Sequence, residues 1–130
     1  MTDHYAGQCI CGAVAFAFDG APAFVAECVC ESCRRAHGAT VVGWVGVETE
    51  RFQLTQGEAA LSWYRSSEAS ERGFCTHCGT RLFFRSSKWP GETHMALACM
   101  TAPHDLTSTG FSFAHELPQW SAVRQREKEQ

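Results

Sequence analysis

The sequence predicts a mainly β protein, built of antiparallel sheets in a single domain. Short apolar segments with alternating pattern recur at intervals of roughly ten residues, and Gly, Pro, Ser and Asp separate them, as is typical of short strands with tight connections. A length of 130 residues, with 45% apolar and 19% charged residues, fits one compact unit with a sizeable core. We therefore expect one β domain over residues 1–123, followed by a charged tail at 124–130.

The first strand is expected at residues 13–18, where Val14, Phe16 and Phe18 share one face with a period of two. One helical turn is expected at Glu31–His37. Further strands are expected at Ala23–Cys28, Ala39–Glu48, Arg51–Leu54, Leu61–Arg65, Thr80–Arg85, His94–Cys99 and Gly110–His115. Four aromatic pairs are expected to fill the core, with a pocket-lining role for Trp63 or Tyr64 as the alternative: Phe16/Phe18, Trp63/Tyr64, Phe83/Phe84 and Phe111/Phe113.

The charge balance argues against several classes of partner. Eleven basic and fourteen acidic residues leave a formal charge of −3, which opposes a general attraction to nucleic acid or to an anionic membrane surface. No apolar run approaches the roughly 18 residues that a membrane span needs. The first residues show neither the basic nor the apolar region of an export signal, so we expect a cytoplasmic protein.

Eight cysteines need an explanation, because a reducing cytoplasm does not favour a disulfide framework. Seven fall in three clusters and one is alone: Cys9 and Cys11; Cys28, Cys30 and Cys33; Cys75 and Cys78; and Cys99. The first two clusters contain sulfurs two residues apart, which on a strand point to the same side. The second and third clusters each contain a Cys-x2-Cys step, a knuckle that aims two sulfurs at one tetrahedral metal ion.

The seven clustered thiols divide into a group of four and a group of three. We expect a closed, structural four-sulfur site at Cys9, Cys11, Cys75 and Cys78. Three ligands from six consecutive residues would leave a tetrahedral ion one open position, the plan of a reactive zinc site, at Cys28, Cys30 and Cys33. Zinc is preferred to an iron–sulfur cluster, since the spacing matches neither common ferredoxin pattern.

Two alternatives stay open for these thiols. The triplet becomes a second closed site if Cys99, His37 or His77 is its fourth ligand, although Cys99 lies in an apolar segment where a free cysteine behaves as a small hydrophobe. Disulfide exchange at the Cys-x2-Cys steps is disfavoured because no βαβ pattern surrounds them.

Cationic residues collect near the cysteines. From Arg72 to Gly91 the sequence has four basic residues and no acid, and Arg34 and Arg35 follow Cys33 directly. These cations either neutralise the metal–thiolate clusters or hold the carboxylates of a small acidic thiol.

Three segments together resemble the glutathione-dependent formaldehyde-activating enzyme family: GQCICGAV from Gly7, CVCESCRRAHGA from Cys28 and RGFCTHCGTRL from Arg72. The similarity runs from about Gly7 to Trp120 and implies the β-tent zinc fold and a carbon–sulfur lyase. Carried over by position, it implies two zinc ions, a structural one on the four-cysteine group and a reactive one on the triplet.

The resemblance also implies a mechanism, in which glutathione binds at the open zinc position and adds to formaldehyde to form S-hydroxymethylglutathione. Arg34, Arg35 and Arg72 are the expected contacts to the carboxylates of glutathione. A second class of function is a non-catalytic binding module with two structural zinc sites. A nucleic-acid-binding zinc ribbon is disfavoured by the acidic balance.

Overall fold

The computed structural model describes residues 4–101 and 103–123, and its strands form two β-sheets. The strands in chain order are β1 (His4–Gln8), β2 (Ala15–Asp19), β3 (Phe24–Cys28), β4 (Val42–Glu48), β5 (Phe52–Gln56), β6 (Leu61–Arg65), β7 (Ser70–Cys75), β8 (Arg81–Ser86), β9 (Glu92–Ala96), β10 (Met100–Thr101) and β11 (Phe111–Ser112). The helix α1 (Glu31–His37) follows β3, and 3-10 turns lie at Thr49–Arg51, Leu97–Cys99 and Ala114–Glu116.

The smaller sheet has the strand order β10-β1-β2-β5, and the larger sheet has the order β11-β3-β4-β9-β8-β7-β6. All neighbouring strands pair antiparallel except β11, which runs parallel to β3. The mainly β, antiparallel prediction is therefore confirmed, with that one parallel pair as a local exception.

The main core includes buried residues from both sheets. Successive side chains of a strand point to opposite faces, so the larger sheet turns one set of residues toward the smaller sheet and presents the other set on its far face. The core cluster includes Phe16 and Phe18 from β2 together with Val45, Phe83 and Met95 from the larger sheet. Each of these five side chains is buried.

The far face of the larger sheet carries a second, smaller cluster near α1. Its buried members are Cys28, Cys33, Val42, Trp44 and Ala96, with Phe24, Phe84, Cys30 and Cys99 packed against it. Four of these nine residues are cysteines, and the candidate site lies on this face.

The predicted strands differ from the observed ones mainly at their ends. Leu61–Arg65 is observed as predicted, whereas the strand expected at His94–Cys99 begins at Glu92 and ends at Ala96, before a 3-10 turn. The strand expected at Ala39–Glu48 begins at Val42. The tail expected at 124–130 lies outside the described residues.

Three strands were not predicted: β1, β7 and the two-residue β10. β1 contains Ala6 and Gly7, which have low strand propensity, yet a Cβ at Gly7 would lie 2.4 Å from the Phe16 ring, so the position requires glycine. β7 lacks an apolar alternation because Arg72 and Ser70 are buried in it.

No helix in the described ranges has the length and apolarity needed to cross a membrane.

Candidate metal centres and the adjoining cavity

The four cysteines of the first group lie at the ends of β1 and β7. All four sulfurs lie within 4.8 Å of one another. The Cys9 and Cys11 sulfurs are 3.6 Å apart, and the Cys11 and Cys75 sulfurs are 3.8 Å apart. Gly79, at a positive φ of 81°, donates its N–H to the Cys75 carbonyl and closes the knuckle.

This geometry fits a zinc ion. Zinc–sulfur bonds of about 2.3 Å in a tetrahedron place the sulfurs about 3.8 Å apart, close to both measured separations. The Thr80 hydroxyl accepts from the Ile10 N–H and lies 3.2 Å from the Cys78 sulfur. The hydrogen bond from the Thr80 hydroxyl lowers the pKa of Cys78 to about 5, which favours a thiolate at that sulfur. Desolvation and hydrogen bonds with the other three sulfurs instead raise the pKa of Cys11, so the metal-free group shares its protons unevenly. The group could therefore hold a metal ion.

The second group spans the end of β3 and the first turn of α1. The sulfurs of Cys28, Cys30 and Cys33 lie within 4.8 Å of one another. Cys30 caps α1, and its sulfur accepts a hydrogen bond from the Cys33 N–H at 3.4 Å. Cys28 and Cys33 are buried, whereas Cys30 is half-buried. Among residues 4–101 and 103–123, no histidine, carboxylate or further cysteine joins this group.

Arg72 faces this triplet from β7. Its two terminal nitrogens each lie 3.8 Å from the Cys33 sulfur, and its guanidinium lies 4.8 Å from the centre of the Phe84 ring. Hydrogen bonding from the Cys28 thiol and the positive charge of Arg72 lower the pKa of Cys33 to about 5, despite burial. The pKa of Cys28 is raised because it shares this hydrogen bond and is buried. A thiolate is therefore favoured at Cys33.

A cavity of about 550 Å³ opens beside the triplet, within the size range of small-molecule sites. Its floor is the far face of the larger sheet, where Trp44, Phe84 and His94 lie side by side. Lys88 and Trp89 line its edge. The cavity thus combines aromatic walls, two cations, one carboxylate at Glu116 and the three cysteines.

A groove of about 560 Å³ continues from this cavity, sharing Ser32, Ser66 and Arg72 with it. Arg35 and Arg81 also line the groove, and none of its described lining residues is acidic. None of these three arginines forms a salt bridge with a described acidic residue. The groove can therefore accept anionic groups.

The three arginines named from the sequence have different positions. Arg72 lines both the cavity and the groove, whereas Arg35 lines the groove but not the cavity. Arg34 lines neither, because its guanidinium donates to the carbonyls of Val29 and Glu116 at 3.0 and 3.3 Å. Arg34 thus ties α1 to the segment after β11.

The suggested fourth ligands lie elsewhere. His37 packs edge-on against Trp44, with ring centres 5.3 Å apart, and burial lowers its pKa to about 4. Cys99 belongs to neither sulfur group, and burial raises its pKa to about 11. A protonated, half-buried thiol fits the prediction that Cys99 serves as a small hydrophobe.

Sequence reasoning missed His94, Trp89 and Arg81 as members of the site. Arg81 and Lys88 belonged to the acid-free basic segment, but nothing in the spacing assigned them to a cavity. Glu92 and His94 are two residues apart on one strand and therefore share a face, and this spacing of a carboxylate and an imidazole was the signal that could have identified His94.

Comparison with known proteins identifies a family and a shared fold. Residues 4–115 match the family model described as glutathione-dependent formaldehyde-activating enzyme. A crystal structure of a Rhodobacter sphaeroides protein has the same fold, with a TM-score of 0.65 and 24% sequence identity; the match covers 82% of this chain and 99% of that one. No curated protein sequence matches the chain.

Proposed function

The chain belongs to the glutathione-dependent formaldehyde-activating enzyme family, and from this premise we propose that it is a cytoplasmic, zinc-dependent carbon–sulfur lyase. Its substrates are formaldehyde and a small thiol such as glutathione. The enzyme joins these two to form S-hydroxymethylglutathione, or cleaves that adduct to release them. The observation that carries this proposal is the three-sulfur group, which borders a cavity and has no fourth ligand among the described residues.

The two cysteine groups have separate roles. Cys9, Cys11, Cys75 and Cys78 hold a structural zinc ion, since four sulfurs complete a tetrahedron. Cys28, Cys30 and Cys33 hold the second ion at the reactive site. Zinc bound by three thiolates supplies a fourth position for a substrate thiol and lowers the pKa of that thiol.

The chain's own side chains stabilise the negative charge that collects at this site. Three thiolates exceed the charge of one divalent ion, and a substrate thiolate adds further negative charge. The terminal nitrogens of Arg72 lie 3.8 Å from the Cys33 sulfur, and its buried Nε has no hydrogen-bond partner among the described residues. Lys88 lines the same cavity. Both cations favour the thiolate form of the substrate, because opposite charges attract more strongly away from bulk water.

The groove accommodates the tail of the thiol. Glutathione carries two carboxylates, and guanidinium groups pair with carboxylates through two parallel hydrogen bonds. Arg35, Arg72 and Arg81 present three such groups along a path that begins at the cysteine triplet. The Phe24, Phe84 and Trp89 rings wall the cavity and limit water around the reacting carbon.

Arg81→Gln tests the groove separately from the metal. We expect S-methylglutathione, whose sulfur has no ionisable proton, to bind about 10-fold more weakly to this variant, since a charged hydrogen bond contributes about 1.5–3 kcal/mol. Isothermal titration calorimetry measures the change. The control is Arg65→Gln, which removes the same charge from a position that lines neither cavity nor groove. Equal weakening in both variants would assign the effect to general electrostatics.

A non-catalytic module with two closed zinc sites is the competing function, and X-ray absorption at the zinc edge separates the two. The lyase proposal expects an average of 3.5 sulfurs per zinc in the two-zinc protein, because one site has four and the other three. Adding glutathione is expected to raise that average toward four. An average of four without any thiol would favour the module.

A further inference from the structure

His94 lies in the wall of the cavity with a carboxylate behind it. It is 5% exposed, on the β9 strand, and pairs in register with Gly46 and Phe84. Its Nε2 lies 2.9 Å from a carboxylate oxygen of Glu92. Three aromatic rings surround the imidazole, with centres 4.8, 5.7 and 5.6 Å away, from Phe24, Phe84 and Trp89.

The second ring nitrogen of His94 is available for chemistry. A carboxylate at Nε2 selects the tautomer with its proton on Nε2, so Nδ1 carries a lone pair. Within the described part of the chain, Nδ1 has no hydrogen-bond partner, and the only fully enclosed, unpartnered side-chain nitrogen or oxygen is Arg72 Nε. His94 Nδ1 therefore retains access to the cavity as an acceptor.

This arrangement differs from that of a surface histidine. His4 also pairs with a carboxylate, Asp19, at 2.7 Å, but both side chains are largely exposed on the other sheet. Burial lowers the pKa of His94 below its ordinary value even though Glu92 and the charge of Cys33 oppose the shift, which favours the neutral imidazole. The charged and titratable side chains that share its cavity are Cys28, Cys30, Cys33, Arg72, Lys88 and Glu116.

We propose that His94 transfers the proton of the substrate hydroxyl, with Glu92 as the residue that positions it. The inference rests on the proposed function. In cleavage of a hydroxymethyl thioether, Nδ1 takes the hydroxyl proton, the oxygen electrons form the carbonyl bond, and the carbon–sulfur electrons leave with sulfur. In the addition direction, Nδ1 takes the thiol proton and returns it to the oxygen as the carbon–sulfur bond forms. Atoms and electrons balance without a further reagent.

The test measures formaldehyde release from S-hydroxymethylglutathione, formed by mixing glutathione with formaldehyde, above the rate without protein. We expect His94→Gln to slow the catalysed release about 100-fold, the usual scale of acid–base catalysis. Wild type should lose rate as the pH falls through the His94 pKa, and His94→Gln should lose that dependence. Glu92→Gln should slow the reaction less than His94→Gln, and added imidazole should partly restore the His94→Gln rate. The matched control, His4→Gln, should behave as wild type.

A second measurement does not depend on turnover. Nitrogen-15 NMR of the wild-type protein reports the state of His94 Nδ1 when S-(2-hydroxyethyl)glutathione is added, with S-ethylglutathione as the control that lacks the hydroxyl. We expect an Nδ1 shift with the hydroxyl-bearing analogue alone. Because this measurement uses the wild-type protein, it tests the role of His94 even if the His94→Gln variant loses its fold or its zinc.

The outcomes separate this inference from the lyase proposal. Catalysed release by wild type with an equal rate in His94→Gln overturns the inference and leaves the lyase in place. No release by wild type above the protein-free rate overturns both. An Nδ1 signal that responds identically to the two analogues overturns the role of His94 whatever the rates.

Discussion

Replacing Cys9 or Cys78 with serine is expected to abolish stable folding of the chain. Structural zinc in small metal-dependent modules contributes on the order of 10 kcal/mol to the folded state, which is comparable to the whole stability of a typical domain. The four sulfurs join the end of β1 to the end of β7, and Cys9 and Cys75 are at most 1% exposed. Far-UV circular dichroism, soluble yield and zinc content measure the loss.

Cys99→Ser is the matched control for this prediction, because Cys99 is half-buried but belongs to neither sulfur group. We expect it to stay folded with its full zinc content and to lose about 1 kcal/mol, as is usual for a single substitution. A strong chelator should unfold the wild-type chain as Cys9→Ser does. A Cys9→Ser protein that melts within a few degrees of Cys99→Ser would refute a structural role for the four-sulfur group.

The division of the cysteines into four and three could be predicted from the sequence because it depends on local geometry. Sulfurs three residues apart in a Cys-x2-Cys step can converge on one ion whatever the rest of the fold does. The strand geometry expected for the pairs two residues apart is not observed, because Cys11 lies in the turn after β1 and Cys30 caps α1. The pairing of the first cluster with the third, across more than sixty residues, followed from the count of ligands that a closed tetrahedron needs. The structure brings these same sulfurs together.

The far face of the larger sheet could not be predicted, because neighbouring residues with the same chemistry have opposite surroundings there. Phe83 is 1% exposed in the core, whereas Phe84 lines the cavity. The sequence contains no signal that separates the two, and both were expected in the core. Phe113, also expected in the core, is 45% exposed, and Tyr64 is 65% exposed and lines the groove, in agreement with its alternative pocket-lining role.

The buried polar residues of the site could not be predicted from the sequence for a related reason. A strand is recognised by apolar alternation, and Arg72 breaks that alternation in β7 because it faces the cysteines rather than the core. His94 likewise sits among aromatic rings with its polar partner on the same strand. Residues that depart from the local rule in order to face a ligand site are the ones that sequence patterns assign least well.

Cys30→Ser is expected to leave a folded protein that has lost the reaction. Cys30 is the half-buried member of the triplet and contributes nothing to the four-sulfur group, so the structural zinc ion and the sheets should remain. A serine hydroxyl is a poor ligand for zinc beside two thiolates, and the loss of an outer-shell partner alone costs metal sites about 10- to 100-fold. We therefore expect thiol-dependent consumption of formaldehyde above the uncatalysed rate to fall by more than about 100-fold, with zinc content decreasing from two ions to one.

The measurement is the loss of free formaldehyde with glutathione, corrected for the reaction that proceeds without protein. Because that background is appreciable, the assay needs enzyme concentrations high enough for the catalysed rate to exceed it clearly. Cys99→Ser serves as the control and should retain the wild-type rate, since its sulfur lies outside the triplet. Equal rates in wild type and Cys30→Ser, with one zinc ion missing from the variant, would mean that the second ion takes no part in the chemistry. Collapse of Cys30→Ser to the same unfolded state as Cys9→Ser would instead make both ions structural.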